Sequence, residues 1–351
     1  MTHIAKPAFH HPNLPVNSLG LTRRDYEGVV STLCAGCGHD SVSASIIEAC
    51  FELDIEAHRV AKVSGIGCSS KTTNYFLNQS HGFNSVHGRM PSVATGANAA
   101  NSSLTYIGVS GDGDTASIGL GQFCHAVRRR LNMVYIVENN GTYGLTKGQF
   151  SATNDKLSKN RKGADNLFDS IDLCAMAVNL GAGFVARSFS GDKRQLVPLI
   201  KAAMRYRGFA LIDIISPCVT FNNHTASTKS YDYVREHNAA LDRVDIVLER
   251  DEIQADYAEG TSTEITLHDG SAVQLHKLAP DYDPTDRQAV LPVLERHRQS
   301  GEIATGLIYL DPDEVDFHGL IGTASKPLNA FSHQDLCPGN DALQAINATL
   351  R

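Results

Sequence analysis

Between about residues 29 and 220 the sequence alternates short β-branched runs with helical stretches, and this alternation constrains the fold more than any other feature. Strands that alternate with helices are typical of a parallel sheet covered by helices. We therefore expect an α/β fold with a doubly wound, mostly parallel sheet. The predicted strands are residues 58–64, 105–110, 133–138, 183–188 and 209–215.

Two stretches in this region have a clear helical signal. Residues 192–206 begin with Asp192, whose side chain suits the N-cap position of a helix. A second helix, between the second and third strands, carries apolar residues at 3.6-residue spacing on one face. Its predicted buried residues are Ala116, Leu120, Phe123, Val127 and Leu131.

The chain of 351 residues is expected to have three parts. Residues 1–28 are predicted to be an N-terminal arm, and residues 29–230 the doubly wound domain. Residues 231–351 are predicted to form a C-terminal subdomain with a docking tail. This last part contains a polar helical stretch, residues 232–250, and a strong hairpin signal around an Asp-Gly pair within residues 263–278.

Composition and charge exclude several classes of function. The net charge of −7 disfavours general nucleic-acid binding. No apolar run is long enough to cross a bilayer, and the N-terminus lacks the apolar core of a secretory signal, so we expect a cytoplasmic protein. In that reducing compartment, eight cysteines are expected to be core residues, metal ligands or redox groups.

A Gly-Asp-Gly motif at residues 111–113 and an Asn-Asn pair at residues 139–140 each follow a predicted strand. Glycines let backbone N–H groups approach a diphosphate, and carboxylate oxygens suit a hard cation. The paired motifs resemble those with which thiamine diphosphate enzymes hold their cofactor through Mg²⁺, which here implies Asp112, Asn140 and Thr142 as metal ligands. The alternative for Gly-Asp-Gly alone is an ordinary strand-to-helix turn.

Four cysteines are candidate metal ligands. Cys34 and Cys37 form a Cys-x-x-Cys before a predicted helix, while Cys68 and Cys218 follow the first and last predicted strands. They suit Zn²⁺ or a [4Fe–4S] cluster, and one pair with two distant single cysteines favours the cluster. A redox-active pair is a third reading. The other cysteines are predicted to be packing or incidental residues: Cys50, Cys124, Cys174 and Cys337.

The motifs resemble those of the β subunits of the 2-oxoacid:ferredoxin oxidoreductases, and within them the 2-oxoglutarate type. The resemblance covers residues 30–230 and implies one [4Fe–4S] cluster held by Cys34, Cys37, Cys68 and Cys218. The motifs that carry it are "CAGCGH", "SGIGCSSK", "HGRMPSVATGANAAN", "GDGDTASIGLGQFCHAVRRRLN", "NNGTYGLTKGQ" and "SPCVTFN".

The resemblance also implies roles for individual residues. Lys147 is expected to pair with the distal carboxylate of a dicarboxylic 2-oxoacid, and His87 to act beside the diphosphate. For these two residues the alternatives are a solvent-exposed loop lysine and a loop histidine, and Asp114 has the alternative of bonding a backbone amide. The implied cofactor-binding residues are Gly67, Cys68, Ser69, His87, Gly88, Gly111, Asp112, Gly113, Asp114, Asn140, Thr142, Gly144, Leu145 and Thr146.

The implied reaction is the CoA-dependent oxidative decarboxylation of 2-oxoglutarate to succinyl-CoA, with electrons passing through the cluster to ferredoxin. Its reverse would fix CO₂, as in the reductive TCA cycle. Because the chain has one doubly wound pattern, the expected partner is an α subunit that supplies the activating Glu and much of the CoA site, in a complex of two αβ pairs.

Other functions remain open at this stage. Within the same family, the enzyme could prefer pyruvate or accept a range of 2-oxoacids. Outside it, the alternatives are a non-oxidative 2-oxoacid decarboxylase and a non-catalytic subunit whose cysteines hold structural zinc.

Overall fold

The computed structural model describes residues 13–158, 163–220, 253–267, 272–337 and 339–350. Its strands are β1 Val60–Ser64, β2 His81–Asn84, β3 Thr105–Gly111, β4 Met133–Asn139, β5 Thr142–Tyr143, β6 Gln149–Phe150, β7 Phe184–Phe189, β8 Phe209–Ile215, β9 Ser262–Thr266, β10 Ala272–Lys277 and β11 Glu302–Leu310. Its α-helices are α1 Gly38–Glu52, α2 Met90–Ala100, α3 Leu120–Arg128, α4 Leu173–Leu180, α5 Lys193–Arg205, α6 Arg287–Gln299, α7 Phe317–Ile321, α8 His333–Leu336 and α9 Gly339–Thr349.

One large sheet organises these elements, with the strand order β2-β1-β3-β4-β8-β7-β11-β10-β9. In this spatial order, the first six strands run parallel to one another: β2, β1, β3, β4, β8 and β7. β11 pairs antiparallel with β7, β10 runs parallel to β11, and β9 closes the edge antiparallel to β10. The predicted α/β class with a mostly parallel sheet is confirmed.

Helices cover both faces of the sheet, as in a doubly wound fold. On one face, α2, α3, α4 and α6 pack on a core that includes Phe123, Tyr135 and Phe209, whose ring centroids lie 5.4–5.9 Å apart. On the other face, α1 and α5 pack against the sheet through aliphatic residues such as Ile46 and Ile200. The apolar strands β3, β4 and β8 are buried between the two layers because both of their faces are covered.

The predicted strands all exist, and β8 has the predicted bounds. The helix before β4 begins with a π-helical turn over Gly113–Ile118, and four of its five predicted apolar residues are fully buried, Leu120 being half-buried against the same core. Asp192 caps α5 by accepting the N–H of Gln195, as predicted.

Two strands of the sheet were not predicted from the sequence. β2 is exposed and has no β-branched residue, so it carries no strand signal. β11 joins the sheet beside β7, which the sequence pattern of the C-terminal part did not indicate. The predicted hairpin is present as the β9–β10 pair, whereas its Asp-Gly turn and the polar stretch 232–250 lie outside the described residues. The domain boundaries after residues 28 and 230 stay a prediction.

A buried ion network joins α4 to the sheet. Arg187 of β7 pairs with Asp213 of β8 (Nε to Oδ2, 3.0 Å) and with Asp172 (Nη2 to Oδ1, 2.6 Å). Asp172 is also the N-cap of α4, where it accepts the N–H groups of Cys174 and Ala175. No helix in the described part of the chain has both the length and the apolar character that crossing a membrane requires.

We predict that Arg187→Met lowers the free energy of unfolding by about 3–5 kcal/mol, because it leaves Asp213 buried without its cation. Chemical denaturation measures this loss. The matched control is Arg194→Met, which removes an exposed pair with Asp256 and should cost less than about 1 kcal/mol. Equal losses in the two variants would contradict the buried network.

Candidate cofactor and metal site

The loops that leave β1, β3, β4 and β8 meet at the carboxyl edge of the sheet because these strands are parallel. The Asp114 carboxylate joins three of the segments there. It accepts the N–H of Ile66 (3.2 Å), the N–H of Gly88 (2.6 Å) and the hydroxyl of Ser110 (2.9 Å). Asp114 thus bonds backbone amides, the alternative to its predicted contact with the cofactor, and it braces the site. Its predicted role in cofactor binding stays a prediction.

Asp112, the central residue of the Gly-Asp-Gly motif, is 1% exposed. Its Oδ1 accepts the N–H of Asn140 (3.3 Å), and its Oδ2 accepts the hydroxyls of Thr153 (2.6 Å) and Ser151. Burial raises the pKa of Asp112, although these hydrogen bonds oppose the rise. A buried carboxylate with neutral partners is suited to a cation, because a positive charge offsets the cost of burying a negative one.

The structure brings the Asn-Asn pair beside this carboxylate. The backbone N–H of Asn140 reaches Asp112, and the Asn140 side-chain carbonyl accepts the N–H of Thr142 at 3.0 Å. Thr142 is in turn held by its hydroxyl, which donates to the carbonyl of Gln149 at 3.0 Å. The three residues predicted to bind Mg²⁺ therefore form one connected group of oxygen-bearing residues.

Close packing requires glycine at several of the predicted positions. A Cβ on Gly113 would lie 2.5 Å from the ring of Tyr143, whose hydroxyl donates to the Gly113 carbonyl. Gly88 has φ = +67°, and a Cβ there would lie 2.8 Å from the backbone of Gly119. Gly67 has φ = +97° and open space around it. Gly88 and Gly113 are buried by this packing, whereas Gly67 is partly exposed and leaves room for a diphosphate to approach the backbone.

The four candidate cysteines approach one another from three segments. Cys37 is the N-cap residue of α1, and its N–H donates to the Cys34 carbonyl at 3.1 Å. The N–H of Gly38 reaches the carbonyl of Pro217, which fixes the start of α1 to the loop after β8. Cys68 opens a 3₁₀ turn, Cys68–Asn74, after β1.

These thiols lie close enough together to affect one another's pKa values. Burial and the nearby Cys218 raise the pKa of Cys37. Burial, Cys218 and Cys34 raise the pKa of Cys68 to about 11. The hydroxyl of Thr220 lies 3.4 Å from the Cys34 sulfur. Neighbouring thiolates repel each other. A bound cationic centre would therefore stabilise the deprotonated form of these cysteines.

The remaining cysteines fit the packing interpretation. Cys50 and Cys174 are fully buried in the two cores, and Cys124 lies half-buried on α3. Cys337 is exposed near the C-terminus.

A buried polar group beside the thiols was missed by the sequence reasoning. Glu138 is completely buried and accepts the Thr72 hydroxyl at 3.0 Å on each oxygen. Its Oε2 lies 3.7 Å from Nδ1 of His39, which is 2.6 Å from the Ser216 hydroxyl. Burial raises the pKa of Glu138 and lowers that of His39 to about 4, so burial favours the neutral form of each group. A glutamate within the apolar run of β4 was the signal available in the sequence.

The segment expected to select the substrate is the tip of the small β5–β6 hairpin. Gly144 is buried, whereas Leu145, Thr146 and Lys147 are exposed. Lys147 has φ = +79°, a left-handed conformation that costs free energy in a residue other than glycine. Among the described residues its ammonium has no ion-pair partner. His87 is also exposed, and among the residues that the structure describes neither predicted catalytic side chain makes a side-chain hydrogen bond or ion pair.

The fold and the site define a class of protein. Residues 65–214 match the family described as "Thiamine pyrophosphate enzyme, C-terminal TPP binding domain". This range begins directly after β1 and ends within β8, so it contains both the Gly-Asp-Gly motif and the Asn-Asn pair.

The chain belongs to the β-subunit family of the 2-oxoacid:ferredoxin oxidoreductases. It is 35% identical over 226 residues to the 2-oxoglutarate synthase subunit KorB of Methanothermobacter thermautotrophicus, covering 63% of this chain and 78% of that protein. It is 40% identical over 200 residues to the 2-oxoacid:ferredoxin oxidoreductase subunit beta of Saccharolobus solfataricus, covering 56% of this chain. The chain spans 65% of the length of that second relative.

A solved structure has a similar fold over nearly the whole chain. It is the 2-oxoglutarate:ferredoxin oxidoreductase from Magnetococcus marinus with 2-oxoglutarate, coenzyme A and succinyl-CoA bound, with a TM-score of 0.70 and 27% identity. The match covers 93% of this chain and 96% of that chain.

We predict that Gly88→Ala lowers the free energy of unfolding by about 2 kcal/mol or more, because a positive φ and a backbone contact both oppose a Cβ. Chemical denaturation provides the measurement. Gly96→Ala is the control, since Gly96 lies within α2 with open space around it and should gain up to about 1 kcal/mol. A neutral effect of Gly88→Ala would contradict the packing of this turn.

Proposed function

We propose that this chain is the β subunit of an enzyme that carries out the CoA-dependent oxidative decarboxylation of 2-oxoglutarate to succinyl-CoA. Electrons would leave through one [4Fe–4S] cluster to ferredoxin. The observation that carries the proposal is the meeting of two sets of groups at one edge of the sheet: the buried Asp112 carboxylate and the four neighbouring thiols. An oxidative decarboxylation whose electrons leave through a one-electron carrier needs the cofactor site and the cluster site close together.

In this proposal Asp112, Asn140 and the carbonyl of Thr142 hold Mg²⁺, and the glycine turn holds the diphosphate. The buried, raised-pKa carboxylate is the structural feature that fits a cation. Bound thiamine diphosphate supplies the chemistry that cleaves the bond to CO₂. The chain contributes a rigid cradle, because Asp114 and Tyr143 brace the backbone around it. The implied contact residues of this cradle are Gly67, Ser69, His87, Gly88, Gly111, Gly113, Gly144, Leu145 and Thr146.

Cys34, Cys37, Cys68 and Cys218 are the proposed cluster ligands. One Cys-x-x-Cys pair with two distant single cysteines favours a cluster over structural zinc, which more often uses two paired motifs. The Thr220 hydroxyl near Cys34 is a hydrogen bond of the kind that tunes cluster potentials.

Lys147 is the proposed determinant of substrate choice. Its exposed ammonium, which lacks an ion-pair partner among the described residues, is available to a carboxylate, and its strained backbone is typical of a residue held for function. A distal carboxylate is present in 2-oxoglutarate and absent from pyruvate. The names of the relatives include both 2-oxoglutarate and 2-oxoacids in general. The proposed preference for 2-oxoglutarate over other 2-oxoacids therefore goes further than those names.

The proposed partners are an α subunit, in a complex of two αβ pairs, and ferredoxin. Support comes from relatives that are named as β subunits and from a solved structure of similar fold with coenzyme A and succinyl-CoA bound. Succinyl-CoA formation then requires CoA as co-substrate, with part of its site on the α subunit.

We predict that the full chain, prepared without oxygen, contains about four iron atoms per chain and absorbs broadly near about 400 nm. Cys68→Ser should abolish most of both signals, because it removes one of four ligands. Cys337→Ser is the control, since Cys337 is exposed and apart from the thiol group, and it should leave both unchanged. A colourless wild-type protein with about one zinc per chain would contradict the cluster.

We predict that Lys147→Ala lowers kcat/KM for 2-oxoglutarate by about 10- to 100-fold in the αβ complex, because a charge-assisted contact is lost. The rate on pyruvate should change little, and Lys147→Arg should retain most of the preference. Lys326→Ala, which removes an exposed lysine paired with Asp335, is the matched control. Equal losses on both substrates would exclude the distal-carboxylate contact.

A further inference from the structure

A second group of metal-ligating side chains lies in the C-terminal part of the sheet. His276 comes from β10, His297 from the last turn of α6, and Glu302 is the first residue of β11. Each offers one donor atom, and these atoms lie within 4.8 Å of one another. None of the three belongs to the proposed thiamine or cluster site, so their convergence requires its own explanation.

The spacing of the donor atoms suits a transition-metal ion. Oε2 of Glu302 lies 2.8 Å from Nδ1 of His297 and 4.0 Å from Nδ1 of His276. Around a tetrahedral zinc ion with bonds of about 2.0–2.1 Å, neighbouring N and O donors lie about 3.4 Å apart. The observed distances fall on both sides of this value. Because an imidazole binds a metal in the plane of its ring, the two stacked rings must rotate relative to each other to bring all three donors to a common centre.

The local fold orients these side chains. α6 ends at the turn of Ser300 and Gly301, and the positive φ of Gly301 (+73°) returns the chain so that His297 and Glu302 face each other. The rings of His276 and His297 stack, with centroids 4.2 Å apart and planes at 25°. The three side chains are partly buried, at 14–23% exposure, and are therefore less exposed than a typical surface ion pair.

Ser262 supplies the supporting contact. It lies opposite His276 in the β9–β10 pair, and its hydroxyl is 3.0 Å from Nδ1 of His276 and 2.5 Å from Oε1 of Glu302. When Nδ1 of His276 binds a metal ion, the Ser262 hydroxyl keeps its bond to Glu302 and orients that carboxylate, as residues around metal ligands commonly do.

We propose that His276, His297 and Glu302 bind a divalent transition-metal ion of the zinc class. Two imidazoles and one carboxylate form a ligand set that zinc accepts, with water in the remaining position. The ion joins β10, α6 and β11, and β11 is the strand that links this region to β7. The site therefore stabilises the attachment of the C-terminal strands to the main sheet.

The place of this site in the sheet makes it separable from the proposed cofactor site. β10 is three positions from β8 in the strand order, and neighbouring strands are about 4.8 Å apart, which gives about 14 Å between the two strands. Loss of this ion should therefore leave the iron content of the chain unchanged.

The test uses the full chain with its cluster loaded, so that the four thiols are occupied. After removal of weakly bound metal, Zn²⁺ alone is titrated by calorimetry, and Co²⁺ alone by absorption spectroscopy. We expect one Zn²⁺ per chain, a Co²⁺ spectrum without thiolate charge-transfer bands, and a rise in Tm on adding Zn²⁺. His297→Gln should weaken Zn²⁺ binding by about 100-fold or more and abolish the rise in Tm, and Ser262→Ala should weaken binding by about 10-fold.

The matched control is His125→Gln, which replaces an exposed histidine on α3 and should bind Zn²⁺ as the wild type does. If His297→Gln does not fold, the nearly isosteric Glu302→Gln takes its place, with the same expected loss. Equal Zn²⁺ affinity in these variants and the wild type would overturn the proposal, as would a wild-type chain that binds no Zn²⁺, since the three residues would then form a metal-free ion pair. An unchanged iron content in the variants would leave the proposed cluster function intact.

Discussion

The Asp114 carboxylate makes the hydrogen bonds on which the geometry of the site depends. It accepts N–H groups from the segments after β1 and before α2 and a hydroxyl from the end of β3, so two loops and one strand share one acceptor. A Cβ on Gly65 would lie 2.5 Å from this carboxylate, which shows how closely the loop approaches it. Cys68, Gly88 and Asp112 all lie on segments that this contact joins, and therefore their positions are set together.

The site concentrates ionisable groups whose charged forms are disfavoured by burial. Asp112 is buried among neutral donors, and the thiols of Cys37 and Cys68 have raised pKa values because they are buried beside Cys218. Burying charge without a partner costs free energy, so these groups favour the binding of cationic centres. Glu138 and His39 differ from these groups, since burial favours the neutral form of each and both contact hydroxyls.

The buried and exposed parts of the site have different roles in the proposed reaction. Groups proposed to hold cofactors lie at strand ends, where the packed sheet keeps them rigid. Lys147 and His87, which are proposed to act near the substrate, are exposed on loops. A rigid scaffold that carries exposed functional loops is the common arrangement in α/β enzymes, because loops tolerate change that the core does not. The His276, His297 and Glu302 group lies apart from both, within the strands that extend the sheet.

The sequence by itself determined the layered α/β fold, because the spacing of apolar residues that marks strands and helices is a local signal. It also determined the candidate cofactor residues that follow the strands, because Gly-Asp-Gly is a local motif. The positions of Asp112 and Asn140 followed from the rule that parallel strands end at one edge. Tertiary structure alone decided that β11 pairs antiparallel with β7, and that Glu138 of β4 meets His39 of α1. It also brought His276 to His297 and Glu302. These contacts join residues far apart in the chain, and pairing between distant segments depends on packing and register, which no local pattern encodes.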